Sequence, residues 1–232
     1  MEAVIEQILW ASPNVKRFFL RPISASPLLF APGQFITLKL PDNEGGTYER
    51  SYSIANVPDE SGLLELCIVL KTEGKVTPVL WEMKVQQSLE ISEALGTMLL
   101  PEIWDKELCF VCTGTGVAPF RSMIGSLLAN SIHQHPIHLV FGNRTEQDIL
   151  YREEFEEWAK TFDNFHFYPV LSQQQWEGRT GYVHATYEQL FADGRDAHFY
   201  VCGWKAMCAE ARQRLKTLGY NRRQYTFEQY DG

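Results

Sequence analysis

The sequence predicts an N-terminal antiparallel β-barrel domain followed by an α/β domain with a doubly wound parallel sheet. Three observations lead there. First, residues 4–10, 15–20, 34–40, 51–55, 63–70 and 88–92 form short runs rich in β-branched and aromatic side chains, separated by Pro, Gly, Asn and Asp. Closely spaced strands of this kind favour a small barrel or sandwich, with one helix expected over 77–83. Second, apolar strands at 107–112, 137–142, 165–171 and 198–202 alternate with helical stretches at 119–130, 151–161, 186–191 and 205–218. Third, the pattern changes within 95–106, where Gly96 and Pro101 punctuate the chain, so residues 1–100 and 101–232 read as two domains. A length of 232 residues accommodates that division.

Composition excludes several functions. The net charge of −8 comes without a block of Lys and Arg, which argues against nucleic acid or an anionic membrane as partner. The N-terminus lacks a cationic segment followed by a long apolar run, and no apolar run approaches the length of a membrane span. The expectation is a cytoplasmic monomer. Five scattered cysteines do not make a disulfide framework. Cys109 and Cys112 form a CxxC on a strand, where residues three apart face opposite ways, so core packing is expected rather than metal. His133, His135 and His138 cluster around Pro136 and read as a solvated loop, and Asn143-Arg144-Thr145 matches a glycosylation sequon that a cytoplasmic protein would not use.

Five segments can carry chemistry. In Cys112-Thr113-Gly114-Thr115-Gly116 an apolar strand runs into a glycine turn, and Pro119 is expected to open a helix. Exposed N–H groups at such a helix start favour a pyrophosphate, although the segment is not a full GxGxxG and reads also as a tight turn without ligand. In Arg50-Ser51-Tyr52-Ser53, Arg50 can hold a diphosphate, Tyr52 can stack on a flat ring and Ser53 can hydrogen-bond its edge. From composition alone a strand with Arg and Ser facing water is the favoured alternative. Gly74-Lys75-Val76-Thr77-Pro78 reads as a turn into a helix capped by Thr77, with or without a bound phosphate. Cys202-Gly203 ends a strand at the rim where α/β sheets bind ligands, and a buried structural thiol is the plainer reading. The terminal Phe227-Glu228-Gln229-Tyr230 keeps a strand-like character over 225–227.

Collinear over nearly the whole chain, RSYS, GKVTP, TGTGVAP, CGWKAM and FEQY resemble the ferredoxin–NADP⁺ reductase family, in particular its compact bacterial ferredoxin/flavodoxin reductases. The resemblance implies an FAD-dependent oxidoreductase that exchanges electrons between NADP(H), with NAD(H) a close second, and a ferredoxin or flavodoxin. By it, Arg50, Ser51, Tyr52 and Ser53 bind FAD, Cys67, Ile68 and Val69 line it, and Gly74, Lys75, Val76 and Thr77 take its phosphates. Gly114, Thr115, Gly116 and Pro119 take NAD(P)H, Cys202 and Gly203 flank the nicotinamide, and Tyr230 covers the flavin. Ser53, Cys202 and Glu228 are the residues implied at hydride transfer. Ser172-Gln173 stands where NADPH-selective relatives often carry Ser-Arg, which leaves Arg144 and Arg179 beside Ser172 as candidates for a 2′-phosphate. The two residues after Tyr230 depart from relatives that stop at or just past the aromatic. Competing readings are an oxygenase reductase component, a free-flavin reductase, or a non-catalytic redox-sensing subunit.

Overall fold

The computed structural model describes residues 1–41, 46–101, 105–130 and 134–230. The chain divides into two compact units, Met1–Leu100 with Ala118–Ala129, and Pro101–Val117 with Asn130–Gly232.

In the first unit, β1 (Glu2–Ser12), β2 (Val15–Pro22), β3 (Phe35–Pro41), β4 (Thr47–Ser53), β5 (Leu64–Val69) and β6 (Ser88–Ile91) form a six-stranded antiparallel sheet in the order β4-β3-β6-β1-β2-β5. The outer strands meet through an Ile54–Leu66 bridge, and Ala55 N–H donates to Glu65 C=O at 2.8 Å, so the sheet curls into a barrel. Period-two alternation sends Ile36, Leu38 and Leu40 of β3 and Leu64, Leu66 and Ile68 of β5 into one core with Ala3, Ile5, Phe18 and Leu20. Strand β4 begins four residues earlier than its composition suggests. Glu49, Arg50 and Ser51 are exposed there, which hides a strand from hydrophobicity but suits one at the margin of a sheet. Helix α1 (Thr77–Glu82) buries Leu80 against the same core.

The second unit has β7 (Glu107–Thr113), β8 (Ile137–Asn143), β9 (Phe165–Leu171), β10 (Arg179–Thr180), β11 (Ala197–Trp204) and β12 (Tyr225–Tyr230), all pairing parallel in the order β10-β9-β8-β7-β11-β12. Helices α4 (Val183–Leu190) and α5 (Lys205–Thr217) cover one face through Val183, Tyr187, Cys208, Ala211 and Leu215. Helix α3 (Arg152–Thr161) packs Phe155 on Phe167 of the opposite face, with ring centroids 5.3 Å apart. The chain steps outward from β7 to β9, then returns to β11 and β12. The strand order therefore reverses between β7 and β11, the place where open α/β sheets bind ligands. Helix α2 (Val117–Ala129) follows β7, and all of it after its first residue groups with the barrel unit.

The histidine reading needs correction. His138 is not in a solvated loop: it is buried in β8, with Nε2 3.0 Å from Glu107 Oε2 and its ring stacked on His166. His135 is exposed, and His133 lies outside the described residues. Cys109 faces the α4 and α5 core, so the CxxC pair does straddle its strand. No helix among the described residues is long and apolar enough to cross a membrane.

His198 makes the β11–β12 pairing sensitive to acid. Its Nε2 lies 3.0 Å from Thr226 Oγ1, and burial, helped by Lys106 and opposed by Asp196, pushes the imidazole down to about 4. An unfolded histidine takes up its proton near pH 6.5. Between about pH 6.5 and about 4 the unfolded chain therefore binds more protons, and stability falls as pH falls through that window. His198→Gln is expected to flatten this part of a Tm-against-pH curve; an unchanged slope would contradict the assignment.

Candidate functional site

Each unit gathers a set of polar residues. On the barrel, Arg50 is exposed and donates to the Glu49 carbonyl at 2.7 Å. Tyr48, two residues earlier on β4, carries the Lys75 ammonium 5.4 Å from its ring centroid. Strand alternation thus brings two exposed cations, Arg50 and Lys75, to one flank, and such a pair suits a diphosphate. Ser51 is exposed with its hydroxyl 3.2 Å from that of Thr37, whereas Ser53 is buried. Tyr52 packs against the barrel core, and burial pushes its phenol up to about 12 against the pull of Arg50.

Two barrel assignments change. The Ile68 side chain lies in the core, whereas Glu65, Cys67 and Val69 share the other face of β5. Thr77 is not a helix cap. Val76 holds that position, while the Thr77 hydroxyl accepts from Lys71 N–H at 2.9 Å and donates to Lys71 C=O at 3.0 Å. With Gly74 N–H also on Lys71 C=O at 2.9 Å, the threonine hydroxyl closes the 71–77 loop.

In the second unit the site forms where the strand order reverses. Strand β7 leads into a 3₁₀ turn at Gly114–Gly116, and α2 begins at Val117, two residues before Pro119. Pro119 still lies in the first turn, where its missing N–H breaks no helical bond. The glycines of this turn serve different needs. Gly114 has φ +53° and open space where a Cβ would project, as a backbone that faces a ligand requires. Gly116 instead packs on β11: a Cβ there would sit 2.5 Å from the Cys202 carbonyl oxygen. Gly203 is reciprocal, since its Cβ would meet Thr113 Oγ1 at 2.5 Å.

Parallel register aligns Cys112, Cys202 and Glu228 across β7, β11 and β12. The Cys202 thiol donates to the Tyr230 hydroxyl at 3.2 Å, which donates to the Thr115 carbonyl at 3.3 Å. Burial holds the Cys202 thiol well above the usual range, and the Glu228 carboxylate adds to the shift. It stays a protonated, polarizable group, unsuited to nucleophilic attack. Residues 231–232, and with them the question of how the tail bears on Tyr230, lie outside the described residues.

At the ends of β8 and β9, Ser172 donates N–H and hydroxyl to Asn143 C=O at 2.9 and 3.2 Å, and Gln173 N–H reaches Arg144 C=O at 2.9 Å. Arg144 and Ser172 therefore share one exposed rim. Arg179 is placed differently, its guanidinium 5.2 Å from the Tyr168 ring and 3.3 Å from Gln189 Oε1. Sequence reasoning missed Thr113 and Asn143. Thr113 Oγ1 and Asn143 Oδ1 are buried without hydrogen-bond partners at the same ends of neighbouring strands, which suits groups that a ligand satisfies. Their position at strand ends was the available signal.

Known proteins match both halves. An oxidoreductase FAD-binding domain matches residues 2–99 and an oxidoreductase NAD-binding domain residues 110–213. Ferredoxin–NADP reductase B of Sorangium cellulosum is 32% identical over 239 residues, covering 99% of this chain and 97% of that protein. The chain belongs to the ferredoxin–NADP⁺ reductase family. It is an FAD- and NAD(P)-binding oxidoreductase. Within the family, the anthranilate 1,2-dioxygenase electron transfer component of Acinetobacter baylyi is 32% identical over 75% of this chain, which spans only 50% of that relative's length. The crystal structure of an Amycolatopsis cytochrome P450 reductase superposes with a TM-score of 0.88 at 25% identity, covering 99% of this chain and 69% of that one.

Proposed function

We propose that the protein moves electrons between NADP(H) and a separate one-electron carrier, a ferredoxin or flavodoxin, through bound FAD. The flavin, when bound, supplies the exchange between hydride and single electrons. The chain's own residues bind, orient and exclude water. Arg50 and Lys75 hold the diphosphate of FAD, Ser51 and Tyr52 flank the isoalloxazine, Cys67 and Val69 line it, and Ser53 hydrogen-bonds its reactive edge. The Gly114–Gly116 turn and Pro119 seat the dinucleotide. Gly203 lets the nicotinamide approach, Cys202 supplies a small soft contact, and Glu228 adds charge in the same register row.

The observation that carries this reading is the mutual packing of Gly116 on Cys202 at the point where strand order reverses, beside the unpartnered Thr113 hydroxyl. Near-full-length similarity to the Sorangium reductase supports the choice of carrier. The test is anaerobic reduction of the bound flavin by NADPH and NADH side by side, then reduction of small ferredoxins and flavodoxins. Turnover with ferricyanide but with no carrier protein would defeat the partner assignment. The match to the anthranilate component favours a second reading, an oxygenase reductase, which transfer to an oxygenase but to no free carrier would support.

Arg144 and Ser172 give the grip on a 2′-phosphate. Arg144→Ala is expected to raise KM for NADPH about tenfold, the loss of roughly one charged hydrogen bond, and to leave NADH within about twofold. Equal effects on both nucleotides would remove Arg144 from that role.

A further inference from the structure

A buried ionic cluster in the barrel unit has no place in the motifs described above. Glu65 on β5 has a side chain only 3% exposed. Its Oε1 accepts from Arg17 Nε at 2.6 Å and its Oε2 from Arg121 Nη1 at 2.9 Å. Arg121 lies on α2, two residues past Pro119, and its side chain is 15% exposed. The same Nη1 also donates to the Ala55 carbonyl at 3.0 Å. Ala55 is two residues beyond Ser53, and its N–H is already held by the Glu65 carbonyl at 2.8 Å.

We infer that Arg121 is a positioning residue: by clamping Glu65 and Ala55 it sets the Ser53–Ala55 segment from which Ser53 addresses the flavin. The inference rests on the proposed role of Ser53. Burying an ion pair in place of apolar groups is often neutral or unfavourable, so such a pair is weak evidence of a stabilising role, whereas its geometry specifies position. Both bonds leave the one Nη1 nitrogen, whose two hydrogens are fixed in the guanidinium plane, whereas the hydrogens of an ammonium turn freely at the end of a flexible stem. The backbone it holds continues from β4 through the Ile54–Leu66 bridge, anchored on its other side by Ile54 N–H on Gln34 C=O at 2.9 Å.

The experiment compares the full-length protein with Arg121→Met, Arg121→Lys and, in parallel, Ser53→Val. Two readouts are taken: amide hydrogen exchange at residues 54–55, and the rate of flavin reduction at saturating NADPH, with FAD content and nucleotide Kd recorded. Arg121→Met is expected to speed exchange at Ala55 several-fold and to slow reduction about tenfold, as misplacement by a fraction of an ångström does, with FAD content and Kd near parental. Arg121→Lys is expected to fall between, because it restores the charge but not the fixed donor plane. Parental exchange and parental reduction in both Arg121 variants would overturn the inference, as would slowed reduction that excess FAD fully restores. If Arg121→Met fails to fold, Arg121→Lys decides alone, and parental behaviour overturns the inference. If Ser53→Val leaves reduction unchanged, the role of Ser53 fails, and the inference that depends on it falls as well. If only Ser53→Val slows reduction, the inference alone is lost.

Discussion

Gly116→Ala is expected to slow reduction of the flavin by NAD(P)H about a hundredfold while FAD stays bound. The added Cβ would lie 2.5 Å from the Cys202 carbonyl oxygen, 3.0 Å from its carbon and 3.4 Å from Gly203 Cα. All three are backbone atoms of β11, so no side chain can swing aside. The turn or the strand must move, and forcing one extra methyl into a packed contact costs about 1–3 kcal/mol. Turn and strand are also the proposed walls of the nicotinamide site, where a shift near 1 Å can cost about a hundredfold in rate. Gly116 has no part in the barrel core, so FAD content is expected to match the parent. Stopped-flow reduction under anaerobic conditions, with the FAD-to-protein ratio and Tm recorded, is the measurement. A parental rate would show that the Gly116–Cys202 contact does not shape the site.

Ser53→Val is expected to slow the same step about tenfold, with FAD affinity changed by less than about threefold. Ser53 is 7% exposed at the end of β4, where the strand leaves its pairing with β3. Valine keeps a β-branched fit to a strand but removes the hydroxyl. One hydrogen bond between neutral groups is worth about 0.5–1.5 kcal/mol, and the upper end of that range corresponds to roughly a tenfold change if it acts in the transition state. FAD is held mainly through Arg50 and Lys75 in this scheme, so binding is expected to survive. Titration of FAD fluorescence beside single-turnover reduction separates the two effects. Equal losses in both would assign Ser53 to binding alone.

Particular residues show what was legible. The strand-to-glycine transition at 112–116 stood out because an apolar run ends abruptly in residues that permit sharp turns. The resemblance implies Ile68 beside the flavin with Cys67 and Val69, whereas alternation turns its side chain into the core between them. Thr77 matched a cap pattern, yet its hydroxyl found a nearer partner in the Lys71 backbone. His138 looked solvated beside Pro136, but the strand begins at Ile137 and carries the imidazole inside. Glu65 and Arg121 are 56 residues apart, and no local pattern announces their contact.

From the sequence alone came the order of the main strands and helices and the change from antiparallel strands to alternating strands and helices near residue 100. Those depend on periodicity, turn chemistry and backbone freedom, which act over a few residues. Only the folded chain decided which glycine faces open space and which packs on Cys202, and that Arg121 reaches Ala55. These depend on distances between segments far apart in the chain, set by close packing of strands whose register no local pattern encodes.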